Sequence, residues 1–229
     1  MKKITSYIMF VMFMVTTPLF ANDIYVTQSG ASLTLDILQD GENNTIGNST
    51  TASASTGATT NLNIDQVGDS NVIKYQINGA TYTGVINLQG NSNDVDLNCD
   101  SGNSNSSCGS VNAVVNFTGN SNDVDLDIGE TSAATGADVD IVGNTGSDSN
   151  VVAATVDGTS AILTITINGD TNNYLLDIDG NGDVNGHTLI HTHTGGIADV
   201  DIVQSGVNDN IITLTTSGDN ANIDIIQRD

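Results

Sequence analysis

The sequence is poor in positive charge, in proline and in large aromatic residues. Of 229 residues only 4 are Lys or Arg, against 27 Asp or Glu, giving a formal net charge of −23; one Pro and no Trp occur. The scarce residues are also unevenly placed. Pro18, Met1, Met9, Met12, Met14, Phe10, Phe13 and Phe20 all fall in the first 20 positions. That stretch has a basic start at Lys2 and Lys3, an apolar run from Tyr7 to Phe20, and small Ala21 before polar Asn22. This is the layout of a secretory signal over 1–21. The apolar run is short for a bilayer span and nothing later approaches one. Residues 22–229 are therefore expected to be secreted, extracellular or at the cell surface, with no integral membrane segment.

Beyond the signal only Lys74 and Arg228 are cationic, so two cations face 27 acids and the net charge is −25. That balance excludes a sequence-general nucleic-acid binder, which needs Lys and Arg to neutralise phosphates, and disfavours docking on anionic lipid. Among the acids only Glu42 and Glu130 are Glu; the rest are Asp, a turn and cap residue rather than a helix former. The apolar stock is Val, Ile, Leu and Ala, weighted toward strands. Acids alternate along nearly every strand-like segment, so no carboxylate pair stands out as a catalytic acid and base. A polysaccharide-cutting β-helix would want an aromatic or basic sugar platform, and the chain supplies little of either. No enzyme is expected.

What the chain does have is repetition. The stretches Gly90-Asn-Ser-Asn93-Asp-Val95-Asp-Leu97 and Gly119-Asn-Ser-Asn122-Asp-Val124-Asp-Leu126 are identical. The same frame recurs at Gly169 with Asn172, Gly68 with Asn71 and Gly41 with Asn44; at Gly146, Gly206 and Gly218 the Asn (Asn150, Asn210, Asn222) comes one residue later. Alternation such as Val95 and Leu97 against Asp94 and Asp96 puts aliphatics on one strand face and acids on the other. Gly and Asn reach positive φ at low cost, so they make the corner. Gly41, Gly68, Gly90, Gly119, Gly169, Gly206 and Gly218 are the predicted turn glycines.

The glycines keep an 11- to 12-residue beat: Gly30 to Gly41, then Gly68, Gly79 and Gly90, then Gly146, Gly158, Gly169 and Gly180, then Gly206 to Gly218. A meander or sandwich fits such a beat, but near-identical units are needed only where each coil stacks on copies of itself. The expected fold is therefore all-β: a β-solenoid of stacked strand–turn–strand repeats, about 22–23 residues per coil and roughly eight to nine coils in one continuous domain over 22–229. The absence of Pro after Pro18 fits strands that donate to a ladder on each side. Wider glycine gaps mark expected looped-out rungs near 47–61, 98–112, 130–138 and 181–198.

Four units place Gln two residues before the Gly: Gln28-Ser-Gly30, Gln39-Asp-Gly41, Gln66-Val-Gly68 and Gln204-Ser-Gly206. The third continues through Asn71 to Gln76, and the last unit of the chain runs from Asn222 to Gln227. These units resemble the curlin repeat, Gln-x-Gly-x-x-Asn closed by a second Gln, of the subunits of bacterial curli fibres. The closing Gln76 comes one residue early, Leu88, Phe117 and Ile167 replace the first Gln in the middle units, and Asp is far more abundant. The resemblance implies a subunit exported through a curli-type outer-membrane secretion pore with accessory factors, which then polymerises with copies of itself into a cross-β amyloid fibre of the surface or biofilm matrix. Stacked amides form hydrogen-bonded ladders at roughly 4.8 Å spacing. Gln39, Asn44, Gln66, Asn71, Gln76, Gln204, Asn210, Asn222 and Gln227 are the candidate ladder residues. The alternative is a calcium-stabilised solenoid that stays soluble as an adhesin or virion-surface fibre, with recognition on its looped rungs.

Three further groups bear on chemistry. Asp177, Asp179, Asn181 and Asp183 set oxygens at alternate positions around Gly182, as in the first half of a calcium loop, although position twelve is Thr188 rather than Glu. The bland reading is another corner on the same beat. Aligned acids on neighbouring coils repel, so Ca²⁺ is the one cofactor expected to matter, by raising the melting temperature or speeding assembly. His187, His191 and His193 share one parity, and His-x-His on a strand is a zinc or copper pair in outline; their Thr-rich surroundings favour exposed polar decoration. Cys99 and Cys108, in an exported chain, are best read as one disulfide closing the loop between them.

Overall fold

The computed structural model describes residues 23–47, 52–99, 108–129, 136–144, 146, 148–158, 160–179, 186–206 and 210–228. The expected signal lies outside them. Among the described residues the chain forms seventeen strands and no helix. They are β1 Asp23–Ile24, β2 Thr27–Ser29, β3 Ser32–Asp40, β4 Thr45–Ile46, β5 Ser53–Val67, β6 Ser70–Gln89, β7 Ser92–Cys99, β8 Ser110–Thr118 and β9 Asp123–Ile128. The series continues with β10 Gly136–Gly143, β11 Val151–Asp157, β12 Ala161–Asn168, β13 Asn172–Asp179, β14 Thr188–Thr194, β15 Ile197–Ser205, β16 Ile211–Ser217 and β17 Asn220–Arg228. Every pairing is parallel, which requires that the chain wind in one sense. The fold is a β-solenoid with two walls.

Register makes the coils explicit. One wall runs Asp23, Thr45, Val72, Asp94, Asp123, Val151, Asn173, Asp199, Asn222, each beside the next: nine rungs. The other runs Leu35, Leu62, Gly84, Ala113, Val139, Leu163, Leu189, Ile212: eight rungs. β5 and β6 are long because each rounds a corner without breaking and serves both walls. The looped-out stretches are narrower than the glycine gaps suggested. Ser53 to Asn61 lies on the ladder in β5, Ser110 to Asn112 in β8, and Thr188 to Thr194 in β14. Glycine spacing overestimated them because a polar Ser/Thr/Ala rung pairs its backbone as well as an aliphatic one does.

The core lies between the walls and is built of columns. Ile37, Ile64, Ile86, Val115, Ile141 and Ile165 share one register position and are at most 7% exposed. On the facing wall Ile46, Ile73, Val95, Val124, Val152, Tyr174 and Val200 do the same. Two inward glycines make room for large neighbours: a Cβ on Gly84 would strike the Tyr82 phenol, and one on Gly143 would lie 2.8 Å from the Phe117 ring and 3.0 Å from Ile167. Cys99 and Cys108 are disulfide-bonded, with Cα atoms 5.7 Å apart and both side chains fully buried.

The corner glycines also stack. A Cβ on Gly68 would overlap the carbonyl oxygen of Gly41, one on Gly90 that of Gly68, and one on Gly119 that of Gly90; Gly195 and Gly218 repeat the contact on Gly169 and Gly195. The corner turns tightly enough that successive backbones touch, and only a hydrogen fits between them. Gly206 sits instead at a corner beside His187 and Asn210. Gly90→Ala is expected to cost at least about 2 kcal/mol in urea unfolding, whereas Gly136→Ala, with open space around its Cβ, should stay within about 0.5 kcal/mol.

Candidate functional site

The clearest constellation is a line of amides through the interior. Among the described residues the Asn of each Gly-x-x-Asn corner points inward, and its Nδ2 donates to the carbonyl of the Gly three residues earlier: Asn44 to Gly41 at 3.1 Å, Asn93 to Gly90 at 3.1 Å, Asn172 to Gly169 at 2.8 Å. The same Nδ2 also donates to Oδ1 of the next Asn. The series is Asn44 to Asn71 (3.0 Å), Asn71 to Asn93 (2.8 Å), Asn93 to Asn122 (2.5 Å), Asn122 to Asn150 (2.6 Å) and Asn150 to Asn172 (2.7 Å). All six are at most 3% exposed. Side-chain burial and backbone cap are thus satisfied by one residue type, which explains the motif.

Glutamines form two shorter pairs. Gln66 Nε2 donates to Gln39 Oε1 at 2.7 Å, and Gln227 Nε2 to Gln204 Oε1 at 3.2 Å. Each member of the second pair also reaches across its corner. Gln204 Nε2 donates to the His187 carbonyl at 3.0 Å and Gln227 Nε2 to that of Asn210 at 2.8 Å.

Three of the expected ladder residues are placed elsewhere. Gln76 lies between inward Tyr75 and Ile77, so its side chain turns outward: arriving one residue early reverses its face. Asn222 also points out, donating to Asp199 Oδ1 at 2.8 Å, because Ile223 holds the inward position. Asn210 stands outside the Asn column and instead accepts from the His187 backbone N–H at 3.1 Å. Conversely Asn93, Asn122, Asn150 and Asn172 belong to the ladder although no Gln precedes their Gly by two residues. The Asn three residues after the corner Gly, or four in the case of Asn150, is the signal; tying the ladder to Gln hides it.

Coil seven departs from the aliphatic pattern. His187, His191 and His193 all face inward and are at most 2% exposed. They are core residues, and the expectation of exposed decoration is corrected: their shared parity is the inward one. His191 occupies the column of Ile165 and Leu214, edge-on to the Tyr174 ring at 4.3 Å. Tyr174 Oη lies 3.0 Å from His193 Nδ1. Neither ring nitrogen of His191 has a hydrogen-bond partner. Burial, then the neighbouring His193, push its pKa down to about 4. Burial also lowers His193, opposed by Asp170.

Outside, acids stack on acids. Asp94 pairs in register with Asp123 and Asp96 with Asp125. Lys74, one rung earlier, bonds Asp94 at 2.8 Å and reaches Asp96 at 3.6 Å. Partial burial, then Asp94, raise the Asp123 carboxyl; burial, then Asp96, raise Asp125. Of the calcium-loop candidates, Asp177 and Asp179 are exposed on the outer face of β13, with Asp179 accepting from Ser205 Oγ at 2.8 Å; Asn181 and Asp183 lie outside the described residues. Among the described residues no three His, Cys, Asp or Glu converge as a metal site. A shallow trough of about 560 Å³ follows the outer face past Leu38, Asp65, Asn87 and Asn116. Its carboxylate, Asp65, already accepts from Asn87 Nδ2 at 2.6 Å.

No family model, characterised protein or solved structure matches the chain.

Two measurements test this interior. Asn122→Ala leaves Asn93 Nδ2 without its Asn acceptor and Asn150 Oδ1 without its Asn donor, and should cost about 2–3 kcal/mol. Asn222→Ala, outside the column, should stay within about 0.5 kcal/mol. For His191 the folded state holds the neutral form while the unfolded chain protonates near 6.5. Stability is therefore lost as pH falls from 6.5 toward 4, by about 3 kcal/mol. The raised Asp123 and Asp125 act in the opposite sense, gaining stability as acid neutralises them. His191→Leu separates the two: the variant should be more stable than the parent, by a margin that widens between pH 6.5 and pH 4 in urea titrations. A margin independent of pH would refute the assignment.

Proposed function

We propose that residues 22–229 are an exported structural subunit that polymerises end to end into a curli-like cross-β fibre. The observation that supports this best is the uncovered state of the terminal rungs. Ile223 and Ile225 stand in the columns of fully or nearly fully buried Val200 and Ile202, yet they are 41% and 43% exposed. At the other end Ile24, Val26, Leu33 and Leu35 are only partly buried. A parallel strand edge beside an uncovered apolar column is a template for another chain.

The register within the chain supports one junction. Residues 222–228 continue the wall that begins at Asp23, so the next subunit's Ile24, Val26 and Gln28 fall on Ile223, Ile225 and Gln227. The glutamine pair of Gln204 and Gln227 then gains a third member. The nine-strand wall runs on unbroken while the eight-strand wall skips one strand, so β17 carries the contact. Export through a curli-type secretion pore, with its accessory factors, is the further part of the reading, resting on the curlin-like Gln-x-Gly-x-x-Asn units and the signal-like first 21 residues. The large negative charge keeps free subunits apart and makes assembly depend on salt, calcium and pH.

Purified residues 22–229 should convert to sedimentable, dye-binding fibres with a meridional reflection at ~4.7 Å. Ile225→Lys should leave the monomer folded and slow elongation at least tenfold. If the parent chain stays monodisperse for days, with and without calcium, the fibre reading is overturned in favour of a soluble surface module.

A further inference from the structure

The carboxyl-terminal part of one outer wall of this acidic molecule carries no charge. On β12, β14 and β16 the outward positions are Thr, Ile, Asn and Ser, with no Asp, Glu, Lys or Arg. Thr166, Thr192 and Thr215 stack in one column and Thr164, Ile190 and Thr213 in the next. Beside them Ile162, Thr188 and Ile211 form a third, and Ile162, Ile190 and Ile211 are 41%, 38% and 53% exposed. The same wall is acidic in coils one, two and five, at Asp36, Asp40, Asp65, Asp138 and Asp140. The opposite wall of the same coils carries outward Asp177, Asp179, Asp199, Asp201 and Asp224. Coils three and four of this wall, Thr81–Gln89 and Ser110–Thr118, are uncharged as well, but there amides (Asn87, Gln89, Asn112, Asn116) stand where the grid has Thr and Ile.

We propose that the Thr/Ile grid is the lateral docking surface for a second copy of this chain, joining two fibres side by side. The inference rests on the fibre reading above. Two bodies at −25 each repel wherever their acids face one another, so close approach is least costly where neither has charge. β-Branched side chains standing on flat, in-register strands suit face-to-face sheet packing at about 10 Å. A two-fold axis along the fibre lets each grid meet its equivalent at the same height.

Area sets when this happens. Three strands ~4.8 Å apart, each about seven residues at ~3.3 Å, present roughly 300 Å². A stable interface needs about 800 Å² per partner. Two free subunits therefore do not dimerise through the grid, whereas a fibre repeats it in every subunit and sums the contact. Lateral pairing follows polymerisation.

Thr192, at the centre of the grid, gives the test. Thr192→Asp places a carboxylate against its own two-fold mate; Thr192→Val keeps the shape. Fibres of the parent and of Thr192→Val should be paired in electron micrographs. Thr192→Asp should give fibres of half that width, with dye response and elongation rate within twofold of the parent. Thr192→Asp fibres as wide as the parent's overturn the lateral surface and leave the fibre reading intact. If the parent makes no fibres, the fibre reading fails and this inference falls with it. A free parent subunit that sediments as a dimer, with Thr192→Asp monomeric, contradicts the area limit and overturns the ordering.

Discussion

The backbone ladder between coils is the constraint from which the rest follows. Parallel pairing without slippage sets each residue directly against its equivalent one coil away, at roughly 4.8 Å. Side chains are then chosen by column rather than by position in a three-dimensional jigsaw. An aliphatic column tolerates exchange among Ile, Val and Leu, as in Ile73, Val95 and Val124. At Gly68, Gly90, Gly119, Gly195 and Gly218, where a carbonyl oxygen fills the space a Cβ would need, the corner accepts only Gly. The amide column takes Asn because one side chain must both cap its own corner and meet the next amide. A residue that answers only one of those demands leaves a buried polar atom unpaired, a cost comparable to the net gain of two or three hydrogen bonds.

The same constraint creates the molecule's electrostatic problem. Stacking that places Asn on Asn inside also places Asp on Asp outside, as at Asp94 with Asp123 and Asp96 with Asp125. Lys74 is the local answer, holding two carboxylates at the start of that pair of columns. Elsewhere Asn interleaves with Asp, as where Asn63 and Asn87 donate to Asp36 and Asp65. Alternating an amide with a carboxylate turns a repulsive column into a bonded one and keeps the exterior polar.

Much of this architecture is legible in the order of residues alone, because period and parity are one-dimensional signals. The 11-residue beat sets two corners per coil, and alternation such as Asp94-Val95-Asp96-Leu97 marks the inward face. Parity alone also separates Gln76 from the ladder, since it sits between Tyr75 and Ile77. The remaining features depend on contacts between coils. Gly84 and Gly143 look like strand defects until Tyr82 and Phe117 are seen to occupy their space. His191 reads as polar until register sets it between Ile165 and Leu214. Loop width is overestimated where a rung of Ser, Thr and Ala replaces aliphatics, because a ladder is held by backbone groups that composition does not reveal.

The amide lines also give the stack a direction. Each Asn donates toward the carboxyl-terminal end, whereas Gln66 and Gln227 donate toward the amino-terminal end. The two ends are therefore chemically unlike even though both are parallel edges. At the carboxyl-terminal end the Asn column has already stopped: Ala198 and Ala221 follow Asn172 in register, so the inward side of the last rung is apolar except for Gln227. An end made of Ile223, Ile225 and one amide discriminates by shape and by a single polar position. In the proposed fibre that position falls on Gln28 of the incoming subunit, and a slip by one residue would set Gln227 against an outward residue and bury its amide unpaired. In such a fibre, selectivity for the correct register would come from the one polar group on the inward side of the terminal rung, while its aliphatic neighbours would supply the attraction.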